Sequence, residues 1–212
     1  MAEGQVALTD PVTELVASPA GEPRRGRPQS TSARELELIA LRLFTERGFD
    51  ETTVEDIAAA AGIGRRTFFR YFASKNDVVW GQFAEGLQQL RAALAGADEG
   101  VPWPSALREA VVAFNALPPE QVPVHRERMD LILHVPALQA HSTLMYAEWR
   151  GVVASFVARR LGLEADDYLP RLTGHLALAA AVAAYEQWLL DPGSSLASLL
   201  DEGLRWLDAP HG

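Results

Sequence analysis

The amino-acid sequence predicts an all-α protein in which an N-terminal three-helix DNA-binding domain precedes a larger helical domain. Three observations predict this fold class. Apolar residues recur at helical spacing, no stretch alternates apolar and polar residues for long enough to indicate a strand, and Gly and Pro divide the chain into nine helical segments. With 212 residues, of which 48% are hydrophobic, the chain can bury a substantial core.

The first three predicted helices are short and closely spaced. Ser32 and Glu35 fit a capping box at the start of the first helix, and Gly48 ends it. Thr53 is a suitable cap for a second helix, and a third helix is expected over residues 65–72.

The fourth predicted helix is a single long one that begins at Ser74 and carries Val78, Val79, Phe83 and Leu87 on one face. A segment rich in Gly, Pro and acidic residues then interrupts the chain at 96–104. Five more helices are expected after this break, at roughly 104–117, 121–134, 137–162, 167–190 and 195–208.

The second and third helices have the spacing of a helix-turn-helix motif, at about residues 54–73. Two such helices can pack closely only if the facing residues are small or apolar, as Ile57, Ala58 and Phe68 are. Gly62 falls where the chain turns sharply, a position that often requires a positive φ.

The N-terminal end of the motif's second helix is expected to face the bases in the major groove. Arg65 and Arg66 lie there and could pair with guanine, and Phe69 lies one turn further on. Contacts with neighbouring phosphates are expected from Thr53, Thr67, Tyr71 and Lys75. The alternative is a surface hairpin in which these side chains are solvated.

A basic arm precedes the motif, at Arg24–Arg27 within a segment, 1–31, whose composition predicts disorder. Arg25 and Arg27 flank a glycine as in an AT-hook, which inserts arginines into the minor groove; a solubilising tail is the alternative. Residues 24–75 hold ten basic and seven acidic residues, a net charge of +3, on a chain whose net charge is −9. This local positive charge suits a phosphate-binding end on an acidic body.

The sequence around the motif resembles the TetR family of transcriptional regulators. The resemblance is carried by residues 40–44, Gly48, Thr52-Thr53-Val54, Ile57-Ala58, Ala61-Gly62-Ile63, Thr67-Phe68-Phe69-Arg70-Tyr71-Phe72 and Ser74-Lys75. It implies a nine-helix fold, a homodimer that binds double-stranded DNA at a palindromic operator, and a ligand pocket. The implied domains are a DNA-binding domain at 32–75, an effector-binding and dimerisation domain at 76–208, and a tail at 209–212.

The C-terminal part resembles one subgroup of this family, the mycofactocin-system regulators. The matching stretches are 79–83, 113–115 and 122–161, which include His125-Arg126-Glu127-Arg128-Met129 and residues 135–142. The resemblance implies control of genes for a peptide-derived redox cofactor, with long-chain acyl-coenzyme A as the effector and repression relieved by ligand as the commonest mode.

Large apolar and aromatic residues in the C-terminal part could line a tunnel for an apolar or amphipathic effector, and an arginine could hold its anionic group. The candidates are Trp80, Phe83, Phe114, Arg128, Met129, Leu133, Tyr146, Trp149 and Tyr185. The alternative for each aromatic residue is ordinary core packing, and for the arginine a solvated surface position.

The last two helices are expected to form the dimer interface. An apolar stripe on the last helix and a row of small residues on the helix before it could receive a partner. The candidates are Ala177, Ala181, Ala184, Leu196, Leu199, Leu200, Leu204 and Leu207. The same stripe could instead cover the core of a monomer.

Several other classes find no support in the sequence. The chain has no Cys, and its five His residues lack metal-binding spacing, so no metal site and no cofactor are expected. There is no phosphate-binding Gly loop or nucleophile elbow, which argues against an enzyme. The longest apolar run, at 176–185, is too short for a membrane span, and the cytoplasm is the expected location. A helical lipid or acyl-CoA carrier that does not bind DNA is the alternative function.

Overall fold

The computed structural model describes residues 31–81 and 83–206, and in these ranges the chain is helical without a strand. Ten α-helices follow one another in the order α1 (Ala33–Arg47), α2 (Val54–Ala60), α3 (Arg65–Tyr71), α4 (Lys75–Trp80), α5 (Phe83–Ala95), α6 (Trp103–Phe114), α7 (Val122–His134), α8 (Pro136–Leu161), α9 (Tyr168–Leu190) and α10 (Leu196–Arg205). A 3₁₀ turn, Pro119–Gln121, precedes α7. The predicted fold class is confirmed.

The starts of the first two helices follow the capping chemistry that the sequence predicts. The Ser32 hydroxyl accepts from the N–H of Glu35, whose carboxylate accepts from the N–H of Ser32, and Gly48 ends α1 at a φ of 91°. Thr53 and Asp56 form the same reciprocal pair at α2. These caps satisfy backbone N–H groups that have no partner within the helix.

The prediction of a single long fourth helix is wrong. The chain leaves the helical conformation at Gly81, where φ is 47° and ψ is −118°, so two helices replace one and the described residues form ten rather than nine. A Cβ at this position would lie 2.6 Å from a carboxylate oxygen of Glu37 and 2.9 Å from a guanidinium nitrogen of Arg128. Glycine therefore lets the backbone pass close to these two side chains in a conformation that other residues rarely adopt.

The body of the protein is built around α8 and α9, which pack side by side. Their backbones approach closely at Gly174, where a Cβ would lie 2.9 Å from the carbonyl oxygen of Arg150. α10 packs across α9 and α6, while α7 lies between α1 and the α8–α9 pair.

One core cluster runs from the first three helices into the body. It includes Phe44 on α1 and Phe68 on α3 together with Met129 on α7 and Tyr185 on α9. A second cluster fills the space between α5, α6, α8 and α9. All described residues belong to one compact unit that begins at Thr31. No helix in the described ranges has both the length and the apolar character that a membrane crossing requires.

Candidate functional site

α2 and α3 form the helix-turn-helix that the spacing predicts. Ile57, Ala58 and Phe68 are buried between the helices. The connecting turn places Gly62 at a φ of 66° and closes with a hydrogen bond of 2.9 Å from the N–H of Ile63 to the carbonyl of Ala58. Small and apolar contacts therefore pack α3 against α2, and the opposite side of α3 faces solvent.

The exposed side of α3, called here the reading face, consists of Arg65, Arg66, Phe69 and Arg70. The Phe69 ring is 43% exposed although it is large and apolar. The Arg65 guanidinium lies 5.4 Å from the centroid of this ring and 2.9 Å from a carboxylate oxygen of Glu55 on α2. Both charged side chains stay mostly exposed, so this ion pair is a weak one that a phosphate or a base could replace.

Tyr71 has a structural role that its sequence position did not predict. Its hydroxyl donates to the carbonyl oxygen of Thr31 over 2.7 Å and so ties the residue before the first helical cap to α3. Because its only hydroxyl proton is used there, Tyr71 has none to donate to a phosphate in this arrangement. Thr67, on the same helix, is half-buried.

The ammonium group of Lys75 also points inward. It donates to the carbonyl oxygens of Phe49, Asp50 and Thr52 at 2.7, 3.4 and 3.1 Å and lies 4.4 Å from the centre of the Phe49 ring. An ammonium has three protons, and all three are engaged. Lys75 therefore ties the start of α4 to the loop between α1 and α2, and its predicted phosphate contact stays a prediction.

The Thr53 hydroxyl serves the α2 cap. It accepts from the N–H of Asp56 at 3.1 Å and donates to the Asp56 carboxylate at 2.5 Å. The hydrogen bond from the hydroxyl to the carboxylate, and after it a hydrogen bond of 2.9 Å from the backbone N–H of Thr53 to the same carboxylate, lower the pKa of Asp56. The Thr53 hydroxyl is engaged in the cap, and its predicted phosphate contact stays a prediction. Arg25 and Arg27 lie outside the described residues, as does all of the segment 1–31 except Thr31.

A cavity of about 250 Å³ lies in the body of the protein. Its walls come from α4 to α9, with one side chain from α1. All nine candidate ligand residues line it, namely Trp80, Phe83, Phe114, Arg128, Met129, Leu133, Tyr146, Trp149 and Tyr185. The sequence thus predicted which side chains come together, and their role in binding stays a prediction.

A chain of polar groups crosses the apolar wall of this cavity. The Asn115 amide donates to the carbonyl of Val111, and its oxygen accepts from the Tyr185 hydroxyl at 2.7 Å. The same hydroxyl lies 2.9 Å from Nε2 of His125. Burial lowers the pKa of His125 to about 4 and raises the pKa of Tyr185, so both side chains are neutral near pH 7.

An ion pair joins the cavity wall to α1. Glu37 is 1% exposed, and its carboxylate accepts from Arg128 on α7 and, at 3.3 Å, from Arg34 on α1. Burial, and secondarily the charge of Arg34, lowers the pKa of Arg128 to about 10, which leaves it charged. Glu37 was not among the site residues that the sequence predicted. The available signal was its position on α1, one and two turns before the buried Leu41 and Phe44.

Most residues of the predicted dimer interface are already buried within one chain, and their contact with a partner stays a prediction. They are Ala177, Ala181, Ala184, Leu196, Leu200 and Leu204. The physical reason is that α10 folds back over α9 and α6 of its own chain, so the stripe covers the core of the protein. Leu199 is half-buried against the same core, and Leu207 lies outside the described residues.

The outer faces of α8 and α9 remain exposed instead. Gly151 and Ser155 on α8 and Ala179 and Ala183 on α9 are small and exposed. Leu190, at the end of α9, is 80% exposed. This surface, called here the α8–α9 face, combines small residues with uncovered apolar ones.

Comparison with known protein families matches both parts of the chain. Residues 39–79 match the family described as bacterial regulatory proteins, tetR family. Residues 101–212, slightly more than half of the chain, match the MftR C-terminal domain.

Similar proteins agree with these matches. A Mycobacterium tuberculosis protein described as a mycofactocin biosynthesis transcriptional regulator, MftR, is 45% identical over 179 residues, which is 84% of this chain and 90% of that protein. The solved structure of the fatty acid degradation regulator FadR from Bacillus halodurans has a TM-score of 0.62 at 16% identity and covers 85% of this chain and all of its own. Thermus thermophilus FadR in complex with lauroyl-CoA has a TM-score of 0.54 at 23% identity and covers 85% and 99%. At these identities the solved structures show the fold alone.

Proposed function

The chain belongs to the TetR family of bacterial transcriptional regulators, within the group that has the MftR C-terminal domain, and we propose that it acts as a homodimeric repressor that an acyl-CoA effector releases from a palindromic operator. Its family is one of regulators rather than of enzymes. The family match also leaves the carrier alternative without support.

The main support for this proposal is the set of exposed side chains on the reading face. A helix-turn-helix with a tightly packed interior presents Arg65, Arg66 and an exposed Phe69 on its second helix. Arginine recognises the guanine edge with two hydrogen bonds, and an aromatic ring can contact a thymine methyl or a sugar. No packing requirement explains why these bulky groups stand together in solvent.

The α8–α9 face supports a homodimer. Small exposed residues such as Gly151 and Ala179 allow the backbone of a second copy to come close, and an exposed apolar side chain such as Leu190 gains free energy when it is covered. One short recognition helix reads few bases, whereas two helices related by a two-fold axis read a palindrome. Dimerisation therefore supplies the second reading face that a palindrome requires.

The cavity supports an effector with an apolar chain. Its aromatic wall and the flexible Met129 suit an acyl chain, and Arg34 and Arg128 offer cations for an anionic group. A volume of about 250 Å³ lies below the roughly 300–1,000 Å³ of pockets that enclose whole drug-sized ligands. The acyl chain would be enclosed while most of the coenzyme stays outside, and the T. thermophilus FadR complex gives a precedent for lauroyl-CoA in this fold.

The effector acts through helices that share a core with the reading face. α4 begins directly after the DNA-binding helices, and Trp80 at its end lines the cavity. A ligand that displaces α4 or α5 changes the distance between the two reading faces of the dimer. Release then requires that the ligand prefer one arrangement of the dimer and DNA the other.

The relationship to the M. tuberculosis protein supports mycofactocin genes as the regulated set, with the cytoplasm as the place of action. The test uses a labelled duplex from the region upstream of those genes, and fluorescence anisotropy reports binding. Addition of lauroyl-CoA is expected to release the duplex, whereas coenzyme A alone is not. A duplex that stays bound at saturating lauroyl-CoA would contradict the proposed effector, and a duplex that never binds would contradict the proposed gene set.

A further inference from the structure

The charges that line the cavity are unbalanced. Among the described residues of its wall, the formally charged side chains are two arginines, Arg34 and Arg128, and there is no Asp or Glu. His125 lines the same wall, and its pKa of about 4 keeps it neutral.

The negative charge that balances these arginines belongs to a residue outside the cavity lining. Glu37 does not line the cavity, but its buried carboxylate pairs with both arginines. Two cations share one anion. Arg34 is 41% exposed and is partly neutralised by solvent, whereas Arg128 is only 14% exposed, so a positive charge there that Glu37 does not fully balance is costly. In addition, Nε of Arg128 is buried without a hydrogen-bond partner among the described residues.

We propose that the effector is an amphiphile with an anionic group, and that this group takes Arg128 from Glu37. The inference rests on the proposed function and narrows it to the chemistry of one contact. With the anion bound to Arg128, Glu37 keeps its hydrogen bond to Arg34, so two cations face two anions. The anionic group can be the carboxylate of a free fatty acid or a phosphate of acyl-CoA, since guanidinium pairs with either.

The exchange reaches the DNA-binding helices because Glu37 lies on α1. The Glu37–Arg128 pair joins α1 to α7, residues that are 91 positions apart in the chain. Gly81, at the junction of α4 and α5, lies against both side chains. When Arg128 turns toward the ligand, α1 loses its ion pair to α7. The junction at Gly81 then no longer packs against a joined Glu37–Arg128 pair.

The first test compares anionic and neutral ligands of equal chain length. The probes are dodecanoate, lauroyl-CoA and dodecanol, and quenching of Trp80 and Trp149, which line the cavity, gives dissociation constants. Glu37→Gln removes the competing charge with little change of shape. The variant should bind dodecanoate or lauroyl-CoA about tenfold more tightly, the effect of one charge-assisted hydrogen bond, and dodecanol as before.

Glu109→Gln is the matched control, because it makes the same change at an exposed position on α6. It should leave every dissociation constant unchanged. Which anionic probe responds to Glu37→Gln identifies whether the group at Arg128 is a carboxylate or a phosphate.

A second variant protects the test against a folding defect. Arg128→Gln alone leaves a buried Glu37 with one partner, whereas the double variant Glu37→Gln, Arg128→Gln replaces the ion pair with two amides. The double variant should lose the preference for anionic over neutral probes. The inference is overturned if Glu37→Gln binds the anions as the natural chain does, if it tightens dodecanol equally, or if neither anionic probe binds.

The anisotropy assay with labelled operator separates this inference from the proposed function. If Glu37→Gln tightens anion binding and saturating ligand does not release DNA, the contact is as proposed and the effector role fails. If ligand releases DNA equally well from both chains at equal concentrations, the effector role stands and the exchange at Arg128 fails.

Discussion

Nε2 of His125 on α7 lies 2.9 Å from the hydroxyl of Tyr185 on α9, inside the cavity. The orientation of the Asn115 amide assigns the protons, because its NH₂ group donates to Val111 and its oxygen must accept from Tyr185. Tyr185 therefore accepts from His125, which carries its proton on Nε2. A neutral imidazole is built into the cavity wall.

The first prediction concerns pH. The folded pKa of His125 is about 4, below the ordinary value of 6.5, so the unfolded chain binds the proton more readily. The buried, neutral His125 adds its full contribution to the free energy of unfolding above pH 6.5. This contribution is lost as the pH falls from 6.5 to 4, and the free energy changes no further on this account below pH 4. Between pH 7.5 and pH 5 the free energy of unfolding should fall by about 2 kcal/mol more in the natural chain than in His125→Gln, measured by urea unfolding.

His175→Gln serves as the control, because His175 is exposed on α9. It should retain the full pH dependence of the natural chain. Equal acid sensitivity in the natural chain and in His125→Gln would show that the buried imidazole does not resist protonation.

The second prediction concerns Arg66. Replacing it with Ala should weaken binding to the preferred operator by about 1–3 kcal/mol and relax the preference at one base pair of each half-site. The reason is that Arg66 stands exposed at the N-terminal end of α3. Anisotropy titrations with matched and mutated operators measure both effects. Arg91→Ala, an exposed change on α5, should not alter either, and an Arg66→Ala chain that keeps full affinity and preference would remove this side chain from base recognition.

The third prediction distinguishes a structural Lys75 from a phosphate contact. Lys75→Met keeps the aliphatic stem on Phe49 but leaves three carbonyls without their donor, so the free energy of unfolding should fall by about 1–3 kcal/mol. The slope of log affinity for DNA against log salt concentration should not change. A slope reduced by about one with unaltered stability would instead indicate a phosphate contact.

The fourth prediction concerns the α8–α9 face. Gly151 is exposed, and a Cβ there would meet no atom of its own chain within 4 Å. Gly151→Arg should therefore leave the monomer folded, and even favour the helix, while it blocks close approach of a second copy. Sedimentation equilibrium should show a monomer for this variant and a dimer for the natural chain and for Gln89→Arg, an exposed change on α5. A dimer of unchanged stability in Gly151→Arg would exclude this face.

The sequence predicted those features that depend on local chemistry. The caps at Ser32 and Thr53 and the positive φ at Gly62 follow from interactions within a few residues, and all three are confirmed. The cavity residues were also predicted, because large aromatic side chains in one helical domain tend to meet.

Features that depend on distant contacts could not be predicted in this way. The break at Gly81 makes sense only once Glu37 and Arg128 meet beside it. The stripe around Leu200 is apolar whether it covers its own core or a partner, and only the path of α10 decides between them. Likewise, the sequence around Lys75 looks the same whether its ammonium group contacts a phosphate or donates to the carbonyls of a neighbouring loop.

Selection of bound sequences from a random pool of duplex DNA tests the central claim most directly, since it asks whether two reading faces bind DNA together. The natural chain should enrich an inverted repeat whose half-sites lie about 34–36 Å apart, one turn of the duplex. The double variant Arg65→Ala, Arg66→Ala should enrich nothing. Recovery of a single asymmetric site, or of the same sequences by both chains, would contradict the account.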